Sequence, residues 1–178
     1  MENTNLKQIT SERLVMRNFV EADADDCFVF LSDRDTCYID GGYEPYREKN
    51  KDFYDLMDCF VKDSSRLAIT LKDSGRVVGT VHIMKSENRC GKACELGYVI
   101  SPNYRRMGYA YEAITAVIRY LFEETETEMI VLSAYSENIP SIKLIEKLGF
   151  TYEGRIHRGF RYPPVGIVDM VSYYLDRQ

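Results

Sequence analysis

A change of hydrophobic period past the middle of the chain constrains the fold more than any other feature. Residues 94–100 read as a strand. Ala110, Ala113, Ile114, Val117, Ile118 and Leu121 then repeat at helical spacing, and residues 129–134 read again as a short buried strand. A strand, a helix of about four turns and a further strand form a right-handed crossover, which makes the two strands parallel neighbours. The rest of the chain reads as antiparallel. Residues 67–71 and 77–84 flank Asp73, Ser74 and Gly75, a hairpin signal; residues 13–17 supply an earlier strand, and 150–156 and 167–175 later ones. Helices are expected over 23–31, with Asp23 as the cap, and over 49–61, where Phe53, Leu56, Met57 and Phe60 share a face. A further short helix over 141–148 is ended by Gly149. The implied fold class is α+β: a central mixed, mostly antiparallel sheet with one parallel crossover pair, flanked by about four helices. A ligand in such a sheet belongs beyond the carboxyl end of the parallel strand, where the crossover helix starts.

Length and composition bound the remaining possibilities. A chain of 178 residues without a repeat or a linker suits one domain spanning 1–178. Hydrophobic residues at 45% and charged residues at 29% describe a globular chain rather than a disordered or membrane one. The first ten residues are polar and no stretch reaches spanning length, so a cytoplasmic location is expected. Cys27, Cys37, Cys59, Cys90 and Cys94 are odd in number and scattered, which points to free thiols. Cys90 and Cys94, with His82 upstream, lack the second pair that a tetrahedral zinc site needs, so no metal is expected. A net charge of −5 argues against general nucleic-acid binding and tolerates a cationic amine partner.

The expected ligand position carries Arg105, Arg106, Met107, Gly108, Tyr109 and Ala110. The pattern Arg105-x-x-Gly108-x-Ala110 sets a run of backbone N–H groups at the start of the long helix, where they have no intrahelical partner and the helix dipole adds positive potential. Small residues let a pyrophosphate approach the backbone, and the two arginines supply charge. Taken alone, the hexad reads equally well as a tight connection with two solvated arginines. Asn138 and Ser141 follow the next buried strand. Asn138 suits the amides of an extended ligand and Ser141 reaches the sulfur at its end, although the same residues suit a helix start with Asn138 as cap and Pro140 in the first turn.

Together these residues resemble the GNAT acetyltransferase superfamily, and within it the ribosomal-protein N-terminal acetyltransferase (RimJ/RimL-type) branch. The resemblance runs from Thr10-Ser-Glu-Arg-Leu-Val-Met-Arg17 through Val78-Gly79-Thr80, Glu95-Leu-Gly-Tyr98 and residues 105–113. It continues over 138–150, Glu153-Gly154 and Asp169-x-x-x-Tyr173-x-Leu175. It implies a GNAT fold whose parallel strands splay at an acetyl-CoA site. By position, Val99 and Ile100 would pair with pantetheine and thioester, Arg105 to Ala110 would cradle pyrophosphate, and Asn138 would bond the pantetheine arm. Two departures stand out. Many members carry a Tyr in the last helix that protonates the departing thiolate; Ile145 stands there, which moves that role to Ser141. Arg105 stands where the branch often has Trp.

The resemblance implies an N-acetyltransferase acting on a primary amine by direct attack on the thioester. Attack needs a neutral amine and therefore a proton acceptor, for which Glu95 is the candidate, directly or through water; an ordinary structural carboxylate is the other reading. Glu112, in the first helical turn, reads as structural. Tyr38, Tyr43 and Tyr46 surround a Gly-rich connection and line either the acceptor side or a packed core. Arg155, His157, Arg158 and Arg161 read as a solvated basic loop. The acceptor expected is a peptide or protein N-terminal α-amine, the alternatives being a polyamine or aminoglycoside, or binding of acetyl-CoA without turnover.

Overall fold

The computed structural model describes residues 8–41, 43–162 and 166–178. Among these residues eight strands form one sheet: β1 (Ile9–Thr10), β2 (Leu14–Asn18), β3 (Arg66–Leu71), β4 (Val77–Lys85), β5 (Ala93–Ile100), β6 (Met129–Tyr135), β7 (Thr151–Tyr162) and β8 (Gly166–Asp176). They lie in the order β1-β2-β3-β4-β5-β6-β8-β7. Four α-helices flank the sheet: α1 (Ala24–Leu31), α2 (Lys51–Lys62), α3 (Tyr109–Glu124) and α4 (Ile139–Lys147). A π-helical turn spans Thr36–Gly41. β5 and β6 are parallel, as the crossover pattern requires, and every other adjacent pair is antiparallel.

The sheet divides two apolar cores. On one face Ala113, Ile114, Val117 and Leu121 of α3 pack with Leu67, Ile69, Ile83, Leu96 and Ile130, joined by Ile145 of α4. On the other, α1 and α2 bring Phe30, Phe53, Met57 and Phe60 onto Phe19 and Ala68. Each fully buried side chain of this size contributes roughly 1.5–3 kcal/mol. The helical stripe of α3 therefore clamps the parallel pair from behind.

That clamp leaves one end of the pair open. β5 and β6 are in register from Ala93↔Met129 to Leu96↔Leu132 and no further. Beyond that point β5 stays on β4, with His82↔Gly97, Thr80↔Val99 and Gly79↔Ile100, while Ser133 to Tyr135 stay on β8. Each strand follows its other neighbour, so the twist of the sheet pulls the two apart. Val99 lies so close over β4 that a Cβ on Gly79 would sit 2.2 Å from its carbonyl oxygen, which restricts that position to glycine.

Several local expectations change. Asp23 precedes α1 without a side-chain cap bond to it; its buried carboxylate accepts from both terminal nitrogens of Arg17, each at 2.8 Å, and from the Val20 amide at 2.9 Å. An ion pair with a fixed guanidinium outcompetes the helix amides. The basic stretch 155–161 is no loop, because β7 continues through it against β8 with an irregularity between Ile156 and Phe160. There Arg158 takes φ +55, and its amide donates to Asp169 Oδ1 at 2.6 Å, while Arg155 Nε donates to Oδ2 at 2.7 Å. These bonds, the Arg158 amide first, hold the Asp169 carboxyl down at about 2. All five cysteines are free.

Candidate active site

Two cavities open where β5 leaves β6. A small one, about 160 Å³, lies in the splay between Leu96, Leu132, Ser133, Asn138 and Ser141. A larger one, about 580 Å³, lies on the α1–α2 side against β3, β4 and β5, walled by Phe30, Tyr43, Tyr46, Leu56 and Phe60. Gly97 and Tyr98 line both. At this point the sheet is thin: Gly97 carries no side chain, and a Cβ there would meet Met84 at 3.6 Å and His82 at 4.0 Å.

Ser141 is in the splay as expected, and its Oγ lies 2.8 Å from the Tyr98 hydroxyl. Tyr98 was not singled out from the sequence. Its signal was the strand period, since it stands two residues after buried Leu96 on the same face of β5. Ile145 is fully buried in the core. Asn138 performs the capping half of its two readings: its Oδ1 accepts from the Ser141 amide at 3.2 Å, and its Nδ2 donates to the Ile39 carbonyl at 3.3 Å. The π-helical turn is thereby tied across the splay.

Glu95 lines neither cavity. It stands where β5 is still paired on both sides, opposite Met84 and Val131, about 7 Å along the strand from Gly97. Its charge helps raise the pKa of Arg89, whose main partner is Glu153.

The start of α3 has the form the hexad implies. Arg106 and Gly108 both take left-handed φ, +64 and +83, and Gly108 occupies the N-cap. A non-glycine residue held there costs on the order of 1–3 kcal/mol, a strain of the kind stored at ligand sites. The first intrahelical bond runs from the Glu112 amide to the Gly108 carbonyl at 3.1 Å, so the amides of Tyr109, Ala110 and Tyr111 have no partner within the helix. Arg106, Met107 and Gly108 are exposed beside them. Arg105 is turned the other way: Nη2 donates to Thr36 Oγ1 at 2.7 Å and Nε to the Ile100 carbonyl at 3.2 Å. Its charge braces the π-helical turn, and the Ile100 carbonyl is engaged with it.

Arg13 stands in as the cation at this turn. Its guanidinium lies 4.5 Å over the Tyr109 ring and donates to the Met107 carbonyl at 3.2 Å and to Glu112 at 2.6 Å. Glu112 is structural, as read: it also accepts from Ser11 Oγ and the Arg13 amide, both at 2.7 Å, pinning the β1–β2 edge to α3. Burial would raise its pKa, but these donors outweigh it and hold the carboxyl low. From Gly108 an open groove of about 870 Å³ continues along α3, with Arg119 and Lys147 on its walls.

The larger cavity holds groups that sequence reasoning missed. Arg66, His82 and Gly97 lie in one line across β3, β4 and β5. Arg66 Nη2 stands 2.9 Å from His82 Nδ1, and His82 Nε2 stands 3.1 Å from Ser65 Oγ. A guanidinium only donates, so Nδ1 accepts and the neutral ring carries its proton on Nε2. Burial, then the Arg66 charge, lower the His82 pKa, with Asp63 opposing. Of the three tyrosines, Tyr43 and Tyr46 line this cavity, whereas Tyr38 donates to Glu44 at 3.2 Å.

The arrangement can join two ligands at Gly97–Tyr98: an extended one running from the α3 turn into the splay, and a second from the opposite face. Comparison with known proteins agrees. Residues 13–151 match the model of the acetyltransferase (GNAT) domain. An N-acetyltransferase of Bacillus subtilis, YnaD, is 29% identical over 82% of this chain and 84% of its own. Two Escherichia coli relatives differ in acceptor: a spermidine N(1)-acetyltransferase, 29% identical over 66% of this chain and 62% of its own, and a [ribosomal protein uS5]-alanine N-acetyltransferase, 25% identical over 83% and 79%. A GNAT-family acetyltransferase of Bacillus anthracis superposes with a TM-score of 0.82 at 25% identity, over 96% of this chain and 98% of its own. With a splayed parallel pair, an open amide turn at α3 and a domain match across most of its length, the chain belongs to the GNAT family and is an acetyl-CoA dependent N-acetyltransferase.

Proposed function

We propose that the acceptor is an α-amine at the N-terminus of a peptide or protein. The observation carrying this reading is the composition of the larger cavity, in which Glu44 is the one carboxylate among the described lining residues. A polyamine presents several ammonium groups, each needing a partner to offset its desolvation. Aromatic walls around a single carboxylate suit a lone amine on an apolar residue. An α-amine also has a pKa of about 7.7 to 8.0, against about 10.4 for Lys, so a useful fraction is already neutral near pH 7.

Acetyl-CoA supplies the acyl thioester. The α3 turn, Arg106 to Ala110, fits its pyrophosphate, with Arg13 beside it in place of the Arg105 side chain. The edge of β5 at Val99 and Ile100 and the start of α4 at Asn138 and Ser141 flank the pantetheine path. Ser141 Oγ holds a proton for the departing sulfur, and the Tyr98 hydroxyl, 2.8 Å away, restores it. Backbone N–H groups of β5 near Val99 offer the developing oxyanion its donors. Glu95, set back about 7 Å along β5, takes the amine proton through water.

Competition tests the acceptor. A peptide with a free N-terminus, the same peptide N-blocked but containing Lys, and spermidine are mixed at equal concentration with enzyme and acetyl-CoA. Mass spectrometry is expected to find acetyl on the free α-amine first. Preferential acetylation of spermidine or of the Lys side chain overturns the α-amine reading and leaves the enzyme class standing.

A further inference from the structure

The acceptor cavity holds a cation that neither the chemistry of transfer nor an amine acceptor calls for. Arg66 reaches into it from β3, its guanidinium 4.7 Å over the Phe60 ring. One donor goes to His82 Nδ1; Nε forms a long ion pair with Asp63 Oδ2 at 3.8 Å, beyond hydrogen-bond range; and Nη1 has no hydrogen-bond partner among the described residues. An ammonium acceptor would be repelled by this charge. Glu44, the lining carboxylate, is exposed at the rim and is engaged by Tyr38.

On the α-amine reading above, we propose that Arg66 is an anchor for a carboxylate of the acceptor, so that the substrate class is an α-amine on an apolar or aromatic residue with a carboxylate close to it in the chain. His82 is the positioning residue. Its neutral ring takes one guanidinium donor and, bound in turn to Ser65, turns the fork of Arg66 toward the cavity. Phe60 holds the guanidinium plane from one side, and desolvation between aromatic walls strengthens a charge-assisted bond from Nη1. The geometry fits the reaction: Arg66 and Gly97 are two strand spacings apart, about 10 Å between backbones, and the long Arg side chain shortens that span. An amine at Gly97 thus leaves a carboxylate on the same residue, or on the next, within reach of Arg66.

The test uses matched acceptors. Phenylalanine is compared with phenylalaninamide, and the amidated tripeptide Phe-Asp-Ala with Phe-Asn-Ala, by following thiol release from acetyl-CoA. The carboxylate member of at least one pair is expected to be favoured in kcat/KM by roughly 10- to 100-fold. The pair showing the preference reveals whether the carboxylate belongs to a free amino acid or to an acidic second residue. In Arg66→Met the ratio within that pair falls toward one, and in Arg66→Lys it stays in between. Because the ratio is taken within each enzyme, partial misfolding cancels; the difference in amine basicity between pair members does not, so each kcat/KM is referred to the neutral amine present at the assay pH. Calorimetry gives a readout without turnover: wild-type protein binds N-acetylphenylalanine or acetyl-Phe-Asp-Ala-amide more tightly than the uncharged counterpart, and Arg66→Met does not. Equal kcat/KM within both pairs, or a preference that survives Arg66→Met, overturns the anchor while leaving the α-amine reading intact. Acetylation of spermidine with all four α-amines refused overturns both.

Discussion

Ser141, lining the small cavity, and Tyr98, lining both, meet as two hydroxyls 2.8 Å apart. A lone serine is a weak acid, and a second hydroxyl makes it a better one by accepting part of the shift in charge as its proton leaves. Removing one positioned proton donor costs about 10²- to 10⁴-fold when proton transfer limits the rate. Ser141→Ala is expected to lower kcat by at least the smaller of these factors with the KM for acetyl-CoA changed far less, and Tyr98→Phe to lower it by less than Ser141→Ala. Single-turnover kinetics decide the matter, and a wild-type chemical step in Ser141→Ala removes the role. Ile145, wholly buried, has no part in it.

At the scale of elements, the beginning of α3 owes its shape to backbone rather than to charge. Gly108 at φ +83 turns the chain so that three helix amides face outward, and Arg13 Nη2 would lie 3.4 Å from any Cβ placed there. Gly108→Val therefore meets two penalties, a left-handed conformation that a β-branched residue resists and a side chain at the mouth of the anion site. Acetyl-CoA affinity measured by calorimetry is expected to fall by an order of magnitude or more, with the α3 amides displaced. Affinity equal to wild type would show that phosphate binds elsewhere. The Arg105 tie to Thr36 links this turn to the π-helical turn over the splay.

For the molecule as a whole, acid should act in two stages. His82 is held below its ordinary pKa, about 6.5, so between the folded value and 6.5 the unfolded chain binds more protons than the native one. Stability accordingly rises with pH through that window and begins to fall as pH drops below about 6.5. Asp169 and Glu112 are shifted the same way from carboxylate values; their contribution is complete above about pH 4.5 and is lost below it. Urea melts between pH 5 and 7.5 are expected to show the first stage, and His82→Gln to flatten it. An unchanged slope in that variant would mean the imidazole takes up its proton without cost to the fold.

What the sequence determined by itself was local and periodic. The stripe of α3, the strands before and after it, the cap of α4 at Asn138 and its close at Gly149, φ +87, all follow from spacings within one or two turns, and so does the open amide turn at Gly108. Tertiary structure decided which distant groups meet. Tyr98 and Ser141 are 43 residues apart, Arg105 and Thr36 are 69 apart, and Arg66 faces His82 only because β3 and β4 pair in that register. Glu95, the proton acceptor the chain offers directly or through water, is set back from both cavities, since one step of two residues along β5 separates the paired part of the strand from the splay. Arg105 had a local use available at the start of α3 and took a partner 69 residues away instead. A charged side chain settles where a fixed, partly desolvated partner awaits it, and that partner's place exists only once the sheet has formed.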